Sequence, residues 1–161
     1  MAVWIDPVFD RTQEDVEFAI EKIAEWVAAN ITGNPLVVHD LKGCLNVSDI
    51  NRIEGNVAYL ASELTRLHYP PDTSVKSWTN SDMPNEQDIS RILYNVRALI
   101  TAFYKHNDAP DVPNRMLDYN DVNALELNLS LIKELLDCMI ASFQKSGTIK
   151  SGGTMFLPVR R

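Results

Sequence analysis

Asp49-Ile50-Asn51-Arg52-Ile53-Glu54-Gly55-Asn56-Val57 aligns without gaps on Asp121-Val122-Asn123-Ala124-Leu125-Glu126-Leu127-Asn128-Leu129, and this pairing decides the fold. Asp88-Ile89-Ser90-Arg91-Ile92-Leu93-Tyr94-Asn95-Val96 falls in the same frame. Asp15-Val16-Glu17-Phe18-Ala19-Ile20-Glu21-Lys22-Ile23 keeps only the aspartate and the apolar positions. The leading aspartates are 34, 39 and 33 residues apart, so one helical unit is used four times, its first copy degraded.

Apolar residues extend each copy at alternating steps of three and four. Ile50, Ile53, Val57, Leu60, Leu64 and Leu67 form one run; Ile89, Ile92, Val96, Leu99 and Phe103 form a second. Leu125, Leu129, Ile132, Leu136, Met139 and Phe143 continue a third from Val122. Val16, Ala19, Ile23 and Trp26 make a weaker version, widened by Phe18, Ile20 and Val27. This spacing lines one face of an α-helix, and no segment alternates every second residue as a half-buried strand would. The expected fold is all-α: a four-helix bundle-like domain of four related repeats over residues 1–147, with helices near 13–31, 48–68, 85–106 and 120–146.

Each aspartate falls in a first turn, where a carboxylate meets the positive end of the helix dipole. Ser48 and Asn120 stand directly before two of them as N-cap candidates, and Thr12 and Asn85 can cap the other two helices. Asn56, Asn95 and Asn128 flank the apolar stripe at one repeat position. Paired with a neighbouring helix they would fix register; left unpaired and buried, each would cost about 1–3 kcal/mol. The connections, about 14 to 17 residues, exceed the usual bundle loop and are stiffened by Pro35, Pro70-Pro71, Pro84, Pro110 and Pro113. After Gly147, residues 148–161 read as an extended tail, either disordered or a strand for a partner, with Phe156 as its candidate contact.

A net charge of −7 argues against nucleic acid and against docking on an anionic membrane as partners. No run of 18 apolar residues and no signal-peptide pattern is present, so the expected location is the cytoplasm at synthesis. Cys44 and Cys138 read as free, partly buried thiols. Glu54 and Glu126 share a repeat position and suggest a bundle metal site, but neither is followed by His at the third position. They read as solvated carboxylates, and His39, His68 and His106 as ordinary loop or terminal histidines. No zinc spacing, nucleophile elbow, P-loop or dinucleotide fingerprint appears, so no enzyme activity, metal or cofactor is expected. Trp4 and Trp78 are the candidate platform for a carbohydrate or small molecule, with core or cap packing the commoner use of such rings.

Trp4-Ile5-Asp6-Pro7-Val8-Phe9-Asp10-Arg11-Thr12-Gln13-Glu14-Asp15-Val16 resembles a segment of structural proteins from Firmicutes phages and prophages. Leu41-Lys42-Gly43-Cys44-Leu45-Asn46-Val47-Ser48, running into the Asp49 helix, resembles a companion phrase, and Ser77-Trp78-Thr79 with Asp82-Met83-Pro84 and Asn95-Val96 a third. Together these phrases span most of residues 4–145. The resemblance implies a tail-associated or minor structural protein of the virion, with other phage proteins or copies of itself as partners. A soluble carbohydrate- or small-molecule-binding helical module is the alternative.

Overall fold

The computed structural model describes residues 2–33, 40–116 and 118–146, with side chains to 143, so the expected tail and its Phe156 lie outside the described residues. Within them the fold is all-α, as the periodicity requires. Four helices follow in order: α1 Gln13–Ile31, α2 Val47–Arg66, α3 Glu86–Ala102 and α4 Tyr119–Ser146.

The helix starts show why the aspartates recur. Thr12 caps α1 and Asn85 caps α3, each accepting from the N–H of its aspartate, while Asp15 and Asp88 accept from the capping residue's N–H in return. At α2 the cap is Asn46 instead of the expected Ser48, with Asp49 accepting from its N–H at 2.9 Å. At α4 Asp118 takes the place expected of Asn120, its Oδ1 accepting from the N–H groups of Asn120 and Asp121. Both helices therefore begin one residue earlier than expected. α3 ends at Ala102 rather than near 106, because Phe103 leaves the helical conformation and sets its ring edge-on to Tyr69 at 5.8 Å.

α2, α3 and α4 pack against one another in all three pairings. Their stripes form one core, with Val57, Leu60, Leu64, Val96, Leu99, Leu125 and Leu129 fully buried. The first copy of the repeat behaves differently. α1 contributes only Ala19 to the buried residues. Phe18, Ile20, Ile23, Trp26 and Val27, which the spacing assigns to its inner face, remain 41–62% exposed, and Ile31 beyond them is 81% exposed.

α1 is fixed by its first turn. The Lys42 ammonium donates to the Asp10 carbonyl and pairs with the Asp10 and Asp15 carboxylates. Gly43 lies directly against the helix backbone: a Cβ there would come within 2.0 Å of the Asp15 carbonyl oxygen and 2.6 Å of the Val16 Cα. Only a residue without Cβ permits that approach.

Candidate functional site: asparagine clamps and an uncovered helix face

Counted from its aspartate, the repeat carries Asn at positions 3 and 8, Arg at 4 and Glu at 6 in α2. Positions 3 and 8 lie about 140° apart around a helix, on opposite edges of the apolar stripe. Glu falls on the side of the first Asn, Arg on the side of the second. One side of each helix can thus face the complementary side of the next.

The structure uses this arrangement around the bundle. Between α4 and α2 runs the segment 4–11. Asn56 of α2 accepts from the Ile5 N–H at 2.9 Å and donates to the Ile5 carbonyl at 2.7 Å. Asn123 of α4 treats Arg11 the same way, at 3.2 and 2.9 Å, and Glu126 accepts from the Val8 N–H at 2.7 Å. Between α2 and α3 runs 74–78. Asn95 of α3 holds both backbone groups of Ser74, at 3.1 and 2.7 Å, and Asn51 of α2 holds both of Trp78, each at 2.9 Å. Each side-chain amide therefore binds one residue as a neighbouring β-strand would, through its N–H and C=O together. The asparagines were expected to pair with an adjacent helix; their partners are instead connecting segments. These segments would otherwise bury unsatisfied backbone groups.

The third clamp is incomplete. Asn128 donates to the Pro110 carbonyl at 3.1 Å and to the Ala124 carbonyl at 2.8 Å, while its buried Oδ1 has no partner. Proline has no N–H to offer it.

Buried ion pairs close the same junctions. Glu126 is 0% exposed and Glu54 3%, so the expectation of solvated carboxylates is overturned. Arg52 reaches Glu126 through Nε at 2.9 Å and Nη2 at 2.7 Å, and Arg91 holds Glu54 at 2.5 and 3.0 Å. Both are two-point contacts of guanidinium on carboxylate. Arg11, from the segment 4–11, adds contacts to Asp49 at 2.9 Å and Glu126 at 3.0 Å, so two arginines and two carboxylates balance in one buried group. Burial works against ionisation of Asp49, but the Asn46 N–H, Arg52 and Arg11 outweigh it and hold its carboxyl below the ordinary range. The Glu126 carboxylate holds the proton more firmly on Arg52, and Glu54 does the same for Arg91. At the α3–α4 junction the equivalent positions are Leu93 and Ala124, so both charges are replaced together.

α1 carries none of this set. Glu17, Phe18, Ile20 and Lys22 occupy its positions 3, 4, 6 and 8. The repeat's first copy lost its clamps along with its place in the core.

The tryptophans separate. Trp78 is 5% exposed, its indole N–H directed at Glu54 at 3.3 Å and its ring covered by the Lys76 ammonium at 3.8 Å. It is part of the core. Trp4 is half-buried on Tyr59, with Lys133 beside both rings, and forms no joint surface with Trp78 in that packing. A groove of about 470 Å³ lies where the first turn of α1, the 43–45 loop and the start of α4 meet, lined by Val16, Cys44, Leu45, Tyr119 and Val122 among others. Among the described residues no group of His, Cys, Asp and Glu is placed to hold a metal ion, and no helix is long and apolar enough to cross a membrane. Cys44 is half-buried as expected, and its thiol is pushed up by burial and by Asp49; Cys138 is exposed rather than partly buried, on the outer side of α4. No family model matches the chain, and neither a curated protein nor a solved structure matches it.

The individual asparagines were visible in the sequence; the clamp was not. Its signal is the recurrence of Asn51 and Asn123 at repeat position 3, beside Asn56 and Asn128 at position 8.

Proposed function

We propose that this chain is a phage or prophage structural module, tail-associated, which works through protein–protein contacts and has no catalytic role. The observation that carries this reading is α1: an amphipathic helix fixed at its first turn, with Ile20, Ile23, Trp26, Val27 and Ile31 uncovered. A contiguous exposed apolar face on an otherwise well-packed domain marks a contact surface. The polar groups inside the fold point the same way, since Glu54, Glu126 and the buried asparagines bind the chain's own backbone and arginines. The resemblance of residues 4–16, 41–56 and 77–96 to virion proteins supplies the setting.

Induction of the source strain followed by mass spectrometry of purified particles tests this reading. Peptides of this chain at constant ratio to the tail proteins are expected. Their absence from well-covered particles would overturn it.

The alternative, a small-molecule module, draws support from the groove beside Val16, Leu45 and Tyr119. It draws none from Trp78, whose ring and N–H are engaged internally. A ligand that raises the melting temperature of the parent chain and loses that effect in Leu45→Glu would favour it.

A further inference from the structure

We infer that the uncovered face of α1 receives a basic amphipathic helix from another protein. This deepens the protein-contact reading of α1 and rests on it. Three observations carry it.

The first is how charge lies beside the apolar stripe. Ile20, Ile23, Val27 and Ile31 follow one another at steps of three and four, and all are exposed. Glu14, Glu17, Glu21 and Glu25 do the same, and all are exposed as well. At about 3.6 residues per turn the two lines run side by side, each about 16 Å long, about 110° apart around the helix. Lys22 is the one cation of α1 and already pairs with Glu25 at 2.9 Å. A carboxylate edge along an apolar stripe selects cations at the matching edge of a partner, as flanking charges do in coiled coils. The same carboxylates oppose an anionic lipid surface, the other usual resting place of an amphipathic helix.

The second is the shape that such an occupant needs. Apolar and basic side chains must both reach α1 along its length, in two parallel lines. A helix presents two such lines on one side, whereas an extended segment turns successive side chains to opposite faces. The third is that this chain has no such helix to give. α2, α3 and α4 turn their apolar stripes into the core. A second α1 brings the same glutamates, and the charges on the other flank of its stripe, Asp15 and Lys22, are already paired with Lys42 and Glu25. Residues 147–161 hold Lys150, Arg160 and Arg161, but at the two ends of their apolar run rather than along it, and Gly152-Gly153 and Pro158 disfavour a helix there. The helix therefore comes from a different protein. At the head of the stripe Val16 also lines the groove with Leu45 and Tyr119, which gives one large apolar side chain of the partner a seat.

The test uses the full-length chain and two synthetic helical peptides of about 18 residues, long enough to span the stripe. Both carry one leucine stripe; one has lysines along its edge and the other glutamates. Isothermal titration calorimetry at low salt is expected to show the lysine peptide binding at least about tenfold more tightly, a margin that shrinks at high salt. Glu17→Lys/Glu21→Lys, at exposed positions, is expected to reverse the preference, and Ile20→Ser/Ile23→Ser to weaken both peptides. Equal affinities, no reversal in the charge variant, or no binding of either peptide would overturn the inference. Two further results would overturn it in favour of this chain's own segments. One is a gain of about tenfold in lysine-peptide affinity in Phe156→Glu/Leu157→Glu, which would place residues 147–161 on the face. The other is self-association of the parent in sedimentation velocity that Ile20→Ser/Ile23→Ser abolishes. Particles that contain a chain indifferent to peptide charge would leave the virion reading standing and sink this inference alone.

Discussion

The junction between α2 and α3 holds a buried ion pair for which the molecule itself contains an uncharged substitute. Glu54, 3% exposed, takes two nitrogens of Arg91, while Leu93 and Ala124 fill the equivalent positions between α3 and α4. Glu54→Leu alone leaves Arg91 with only the more distant Asp88 carboxylate, 3.9 Å away. That arginine keeps the Ser74 carbonyl at 2.8 Å and is 22% exposed, so the loss is expected at about 2–3 kcal/mol, below the range for a fully buried charge. Arg91→Ala alone leaves a buried carboxylate with only the Trp78 indole N–H, and about 3–5 kcal/mol is expected. The double variant buries no charge and forfeits the indole hydrogen bond, so its loss is expected near 1–2 kcal/mol, of which about 1 is that bond. The singles would sum to about 5–8 kcal/mol, so the coupling should reach about 3 kcal/mol or more, at the upper end for contacting residues. Urea unfolding followed by far-ultraviolet circular dichroism measures all four corners of the cycle. A double variant as unstable as the sum of the singles would refute the view that repeat positions 4 and 6 are exchanged as a pair.

Other expectations follow from single contacts. Asn56→Ala removes both bonds to Ile5 and is expected to cost about 2–3 kcal/mol and speed amide exchange at Ile5. Asn128→Ala, which deletes an already unsatisfied oxygen, should cost clearly less; equal losses would contradict the clamp. His68 sits in the left-handed region at φ 70° as the residue after the α2 cap, where Tyr69 N–H reaches the Leu64 carbonyl at 2.8 Å, so His68→Gly is expected to stabilise by about 1 kcal/mol. A decrease would mean that the imidazole has a role of its own. Because the folded Asp49 carboxyl lies below its unfolded value of about 3.9, its contribution is complete above that value and lost as pH falls through the lowered one. Asp49→Asn should therefore weaken the protein at neutral pH and flatten the acid side of its stability curve below about pH 4, whereas an unchanged acid limb would show that Asp49 titrates normally.

The helices were legible because their signals are local. Three-four spacing from Ile50 to Leu64 and from Leu125 to Leu136 states which side chains share a face, and the structure buries those faces. The position of α1 was not legible, since Val16, Ala19, Ile23 and Trp26 have a core helix's spacing whether or not a neighbour covers them. What distinguishes α1 is the absence of Asn, Arg and Glu at positions 3, 4, 6 and 8, and that matters only once those residues are known to bind segments of the chain. Glu54 and Glu126 were misread for a related reason. Each partner is distant in sequence, Arg91 by 37 residues and Arg52 by 74, and a carboxylate on a helix flank reads as solvated until its arginine is located. The caps at Asn46 and Asp118 were masked because Ser48 and Asn120 offer the same chemistry two residues later.

The central claim is that α1 stands outside the core and offers its apolar face to a partner. The most direct measurement is the unfolding free energy of Ile23→Glu/Trp26→Glu at high dilution, beside that of the parent chain. A difference within about 0.5 kcal/mol is expected, as for surface substitutions away from buried features. A loss of several kcal/mol, in the range for charges forced into a packed interior, would show that α1 is a fourth wall of the core and would contradict the claim.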